Sequence, residues 1–168
     1  GAVTGPTLNG TDTILGSGAS IGDITSNGSG LVLFENLLLN TGASIGDLEG
    51  SGNIVLGESS VGPTLTLKAE SSIGHITSNG SGGEIRFNDL LVVSGGTLAA
   101  PKAGSEPSDL IGIFGSEVTF AEGVLVFEGG SIGNMAATGG NVTFENSLLG
   151  GSDLGIAGSG SVGSILAT

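Results

Sequence analysis

Short apolar bursts, separated by glycine and small polar residues, run along the whole chain. Several alternate with a period of two, as in Leu65-Thr66-Leu67, Glu84-Ile85-Arg86-Phe87 and Asn141-Val142-Thr143-Phe144. That alternation puts apolar side chains on one face of an extended strand. A helix of useful length needs roughly ten or more residues without glycine, and few windows offer that. The pattern predicts an all-β protein built from short strands and tight turns.

The bursts also repeat. Ser20-Ile21-Gly22-Asp23-Ile24 returns as Ser44-Ile45-Gly46-Asp47-Leu48, Ser72-Ile73-Gly74-His75-Ile76, Ser131-Ile132-Gly133-Asn134-Met135 and Ser161-Val162-Gly163-Ser164-Ile165. The seven residues Ile-Thr-Ser-Asn-Gly-Ser-Gly are identical at 24–30 and 76–82. The copies of the serine motif lie 24, 28, 59 and 30 residues apart. Self-similarity at a few tens of residues is the mark of a solenoid. The expected fold is a parallel β-solenoid, or β-helix-like stack, of about six coils of roughly 24–30 residues, in one domain spanning 1–168. At about 4.8 Å per layer it would rise roughly 29 Å.

The longest gap is about twice the others, which predicts a degenerate or inserted unit around 94–128. Pro101, Pro107 and Ser105-Glu106-Pro107-Ser108-Asp109 read as loop. Strands are expected at Leu110 to Phe114 and Glu117 to Phe120, with Asp109-Leu110-Ile111-Gly112 as a worn copy of the motif. Residues 1–13 read as a leading strand or a partial first coil. Asn27-Gly28 and Asn79-Gly80 are the expected corners, because left-handed backbone angles are cheap only for Gly and Asn. The interior is expected to hold Ile, Leu and Val with a column of Phe34, Phe87 and Phe144, joined by Phe120 or Phe127.

Composition narrows the function. Sixteen acids face only Lys68, Arg86 and Lys102, a formal net charge of −13. That argues against nucleic acid or an anionic membrane as partner, and favours cations as counter-ligands. The chain has no cysteine, so disulfides, thiol nucleophiles and cysteine-ligated zinc are excluded. No apolar run reaches the length of a membrane span. The chain starts at Gly1 without an initiator Met, which is read as a mature protein after signal removal or as an excised fragment.

Candidate chemistry is sparse. The fourth motif position, occupied by Asp23, Asp47, His75, Asn134 and Ser164, would form one polar column in a stack. Asp23 and Asp47 are read either as a solvated turn or as a low-affinity calcium site. Glu35-Asn36, Asn88-Asp89 and Glu145-Asn146 suggest a second column, with asparagine ladders as packing. His75 is the single histidine, there is no nucleophile-elbow motif, and Tyr and Trp are absent as sugar platforms. The chain is therefore read as non-enzymatic, with a polysaccharide-active β-helix enzyme as a minor alternative. Asn9, Asn27, Asn79 and Asn141 match the glycosylation sequon. Thr11-x-Thr13 and Thr64-x-Thr66 suggest the threonine arrays of ice-binding solenoids, but they do not repeat in each coil.

In style, the Gly/Ser/Asn-rich, acidic, cysteine-free coils resemble prokaryotic cell-surface β-solenoids. Val92-Val93-Ser94-Gly95-Gly96-Thr97-Leu98 is similar to the repeat of bacterial autotransporter passenger domains. The general pattern is similar to archaeal and bacterial sheath or fibre subunits. The resemblance implies a secreted, cell-surface protein with no cofactor. The last motif copy, including Ser161, Val162, Gly163, Ile165 and Leu166, has no polar cap. It is the expected assembly surface for further copies of the chain. The expected function is a self-assembling extracellular sheath, fibre or coat, with an adhesin-type passenger domain as the alternative.

Overall fold

The computed structural model describes residues 3–5, 8–26, 31–57, 65–79, 83–99, 111–126, 129–138, 140–144, 155–156 and 161–167. They form three parallel sheets that wrap one core, compatible with the expected β-solenoid.

The six-stranded sheet carries the serine motif. It stacks β3 (Ser20–Ile21), β6 (Ser44–Ile45), β10 (Ser72–Ile73), β13 (Thr97–Leu98), β16 (Ser131–Ile132) and β20 (Ser161–Val162). The seven-stranded sheet follows it along the chain after a gap of two residues, except for one residue past Ile132 and a longer gap past Leu98. It runs β1 (Val3–Gly5), β4 (Ile24–Ser26), β7 (Leu48–Gly50), β11 (Ile76–Ser78), β14 (Ile111–Gly115), β17 (Asn134–Ala137) and β21 (Ile165–Ala167).

The third side holds the longest strands: β2 (Leu8–Leu15), β5 (Val32–Leu39), β12 (Glu84–Val92) and β15 (Glu117–Val126). Two of its layers are split, into β8 (Ile54–Leu56) with β9 (Leu65–Leu67) and β18 (Val142–Phe144) with β19 (Gly155–Ile156).

Two inward ladders stack aliphatic residues on one another. One ladder pairs Ile21, Ile45, Ile73, Leu98, Ile132 and Val162. Another pairs Leu15, Leu39, Leu67, Val92, Val126 and Ile156. Interior members such as Leu39, Leu67, Ile76 and Ile85 are fully buried. Each layer thus closes its backbone ladder and buries apolar surface together, which is what holds a stack of two- and three-residue strands.

The Phe column is present and more mixed than expected. Its registers run Gly10, Phe34, Leu56, Phe87, Phe120, Phe144. Phe120 takes the place left open between two candidates; Phe127 lies outside the described residues.

The degenerate unit resolves into two facts. Thr97-Leu98 of β13 pairs with Ser72-Ile73 below and Ser131-Ile132 above, so the 59-residue gap is one 25-residue and one 34-residue step. Asp109-Leu110-Ile111-Gly112 is therefore not the worn motif copy. Gly112 instead sits where the register shifts between Ile111 and Ile113, and a Cβ there would overlap the carbonyl oxygen of Ala99. Ile113 fills the fifth motif position, paired with Ile76 and Met135. Pro101, Pro107 and Asp109 lie outside the described residues.

The corner between the long strands and the motif strands is a four-residue turn that the sequence reading missed. Backbone bonds Ala19 N–H to Gly16 O, Ala43 N–H to Asn40 O, Ser71 N–H to Lys68 O and Gly96 N–H to Val93 O close it in successive layers. Its third residue is left-handed each time: Gly18, Gly42, Glu70 and Gly95, at φ +69°, +68°, +55° and +80°. Val92–Leu98, the segment resembling autotransporter repeats, is one member of this series. Of the two Asn-Gly pairs expected as corners, Asn27, Gly28 and Gly80 lie outside the described residues.

Glu70 is the one non-glycine among these four. A left-handed side chain costs about 1–2 kcal/mol, offset by the greater unfolded-chain freedom of glycine. Glu70→Gly is expected to stabilise the fold by roughly 0.5–1 kcal/mol, read as a higher urea midpoint. A lower midpoint would mean that the Glu70 side chain contributes more than its backbone costs.

Candidate functional site

The fourth motif position forms the outer polar column, between the six- and seven-stranded sheets. A complete account of its backbone groups explains its composition. The third-position N–H donates to the coil below, as from Gly46 to Ile21 O and from Gly74 to Ile45 O. The fourth-position carbonyl accepts from the coil below: Ile24 N–H to Asp47 O, Leu48 N–H to His75 O, Met135 N–H to Ser164 O. The fourth-position N–H takes no backbone acceptor in this pattern.

The side chain beneath it supplies the acceptor. Asp47 N–H donates to Asp23 Oδ1 at 3.0 Å, and His75 N–H to Asp47 Oδ1 at 2.9 Å. Ser164 N–H donates to Asn134 Oδ1 at 2.8 Å. Aspartate and asparagine share the one feature this job requires, an oxygen on Cγ. Charge is incidental to it, since Asn134 does what Asp47 does.

The glycine one residue earlier makes room. A Cβ on Gly46, Gly74 or Gly163 would overlap the Oδ1 of Asp23, Asp47 or Asn134 respectively. It would also come within 2.8–2.9 Å of the glycine backbone of the coil below. His75 breaks the series, because imidazole presents no oxygen upward. The layer above it is the one whose third position is alanine, Ala99, fully buried and left-handed at φ +55°. The Nε2 of His75 is buried with no hydrogen-bond partner among the described residues.

Asp23 and Asp47 thus stand one strand apart, as the column expectation requires, and each commits one carboxylate oxygen to a backbone N–H. Calcium takes about six to eight oxygens. Among the described residues, no group of three or more His, Cys, Asp or Glu side chains is placed to hold a metal. The part these carboxylates visibly play is to pin one coil to the next.

The second polar column is partly described. Asn88 donates its side-chain amide to the carbonyl of Gly57, across the break between β8 and β9. Its neighbour Asp89 is left-handed at φ +50°, at the register shift in β12. Glu145 and Asn146 lie outside the described residues. Arg86, one of three bases in the chain, pairs with Glu84 at 3.3 Å on the outer face of β12. Such a half-exposed pair contributes little to stability.

The expected assembly residues gather at one end. Ser161 and Val162 form β20, Gly163 follows, and Ile165 and Leu166 belong to β21. Ile165 is 49% exposed, whereas its ladder mates Ile76, Ile113 and Met135 are buried. At the opposite end Ile21 is only partly buried, unlike Ile45 and Ile73 above it. Among the described residues, β1, β2 and β3 have ladder neighbours on one side only, as do β18, β19, β20 and β21. No described helix is long and apolar enough to cross a membrane.

No family model matches this chain, and no curated protein and no solved structure is significantly similar to it.

Proposed function

We propose that this chain is a non-enzymatic extracellular structural protein that assembles with further copies of itself by continuing its β-ladders, building a cell-surface sheath, fibre or coat. The observation that carries this reading is that the outermost described strands of all three sheets are paired on one side only. An unpaired strand edge is a template for another chain, and the described residues of all three sheets present one. Contacts between unlike ends are head-to-tail and generate filaments, or rings where the rotation closes. The apolar ladders support it too, because Ile21 and Ile165 remain incompletely covered at the two ends. The acidic surface would limit sideways association and leave the ends as the favoured contact.

Electron microscopy of the purified protein at neutral pH is expected to reveal regular filaments, sheets or rings. Fibre diffraction should give a reflection near about 4.8 Å along the long axis. A protein that stays monomeric at millimolar concentration by light scattering overturns the reading.

One observation favours an adhesin-type passenger domain as the second reading. Val92–Leu98, the autotransporter-like segment, occupies the same corner and strand as Leu39–Ile45 in the coil two layers below. Specific binding to cell surfaces by a monomer would select this second reading.

A further inference from the structure

Three asparagines in the chain are followed by glycine: Asn9-Gly10, Asn27-Gly28 and Asn79-Gly80. Such a pair is open to an internal reaction. The backbone nitrogen of the glycine can attack the side-chain carbonyl carbon of the asparagine, and glycine puts no Cβ in the way.

The fold treats these pairs differently. Asn9 and Gly10 lie inside β2, in register with Leu33 and Phe34 of β5. Ring closure there requires the strand to leave its extended geometry, which the ladder opposes. Asn27 and Gly28 lie outside the described residues. Asn79 stands one residue past the end of β11, and its backbone N–H donates to Gly50 O at 2.8 Å. Its side chain is exposed, and Nδ2 donates to Glu49 Oε1 at 2.9 Å. Glu49 belongs to β7 of the coil below, opposite Thr77, and is exposed as well.

We propose that Asn79 is a site of spontaneous deamidation, and that the conversion turns a tie between two coils into a like-charge contact. The Gly80 nitrogen bonds to Asn79 Cγ and the Cγ–Nδ2 bond breaks. The proton from the Gly80 nitrogen ends on the departing amide nitrogen, which leaves as ammonia. Water then adds to one of the two carbonyls of the cyclic imide and opens it. One opening gives aspartate. The other gives isoaspartate, in which the main chain runs through the side-chain carbon. Water is the only co-reactant, and nothing is oxidised or reduced.

The position of Glu49 gives the change its consequence. The atom that donates to Glu49 is the atom that leaves. An asparagine amide carries two N–H donors, whereas a carboxylate has only acceptor oxygens. Two carboxylates then face each other between adjacent coils, at an exposed place where salt screens them. Isoaspartate also lengthens the main chain directly after the ladder bond to Gly50. The inference stands whether or not the chain assembles with further copies of itself.

The test is to incubate the full chain, folded, at mildly alkaline pH and to follow its peptides by mass spectrometry, with isoaspartate read by enzymatic methylation. The peptide carrying Asn79 is expected to gain the mass of an amide-to-acid exchange and to contain isoaspartate. The peptide carrying Asn9 is expected to persist while the chain is folded and to convert once urea unfolds it. Gly80→Ala should slow conversion at Asn79 severalfold, because the new Cβ crowds the attacking nitrogen. An Asn79 that outlasts Asn9 in the folded chain overturns the assignment.

The charge consequence is read separately, on variants made directly. Asn79→Asp is expected to have a lower urea midpoint than Asn79→Ala at low salt, with the gap closing at high salt. Adding Glu49→Gln to Asn79→Asp should close the same gap. Equal midpoints for Asn79→Asp and Asn79→Ala at low salt overturn the like-charge contact.

Discussion

Phe87→Ala is expected to cost about 3–5 kcal/mol of folding stability, among the largest effects of any single side-chain truncation in the molecule. Phe87 is fully buried in a central layer, and its ring stacks on Phe120 with centroids 4.8 Å apart and planes 15° from parallel. Leu56 lies below it in the same column. Removing the ring opens a cavity between two layers whose backbones are fixed by ladder bonds on three sides, so the site cannot collapse to fill it. The stacked pair adds roughly 0.5–1.5 kcal/mol beyond area burial, and that is lost as well.

The same change at Phe34 is expected to cost less. Phe34 has only Gly10 beneath it and is already slightly exposed. Denaturant titration of both variants measures the difference. Equal costs would mean that position along the stack does not matter, against the nearest-neighbour logic of a solenoid. Phe87→Leu is expected to recover most of the loss, because the column already accepts Leu56 in the layer below. A central defect also weakens coupling between the two halves of the stack. The Phe87→Ala transition should therefore broaden as well as shift.

The sequence made the repeat legible where side-chain identity is dictated by packing. Ser-Ile-Gly is conspicuous because one position must fill an interior ladder and another must lack a Cβ. The alternation around Phe87 and Phe144 exposed the inner face of the long-strand side for the same reason. Thr97-Leu98-Ala99 escaped notice because it fills the same interior ladder with different letters, and its third position, in the layer above His75, carries a Cβ. The corner turns escaped for a related reason. Gly42, Glu70 and Gly95 share a left-handed backbone, and Lys68-Ala69-Glu70-Ser71 differs at every position from Asn40-Thr41-Gly42-Ala43. A backbone requirement met by unlike residues leaves no string to find.

The polar column was visible as a list of residues, and its purpose was not. Asp23 and Asp47 stand out as charges, and acids in a row read either as a solvated turn or as a low-affinity calcium site. What the spacing could not convey is that a backbone N–H of the next coil lies within reach of each carboxylate. That fact depends on register between layers 24–28 residues apart, which only the folded stack supplies.

Gly74→Ala is the sharpest test of that column, and it is expected to cost about 3 kcal/mol. The added Cβ would overlap Asp47 Oδ1 and lie 2.9 Å from the carbonyl carbon of Gly46. The coil above must lift, or the carboxylate must swing away. If it swings, the N–H of His75 loses its acceptor at a part-buried corner. Overpacking and the orphaned donor each contribute about 1–3 kcal/mol. Asp47→Ala alone removes the acceptor without overpacking and is expected to cost about 1 kcal/mol. In the double variant the oxygen that the new methyl would strike is gone, while the contact with Gly46 remains. The double variant should therefore cost less than the sum of the two by about 1 kcal/mol or more, measured as a coupling energy from urea midpoints. Strict additivity would show that the carboxylate and the missing Cβ are unrelated. Asp47→Asn, which keeps the oxygen and removes the charge, should stay close to the unmodified chain, because Asn134 already performs the same task beneath Ser164.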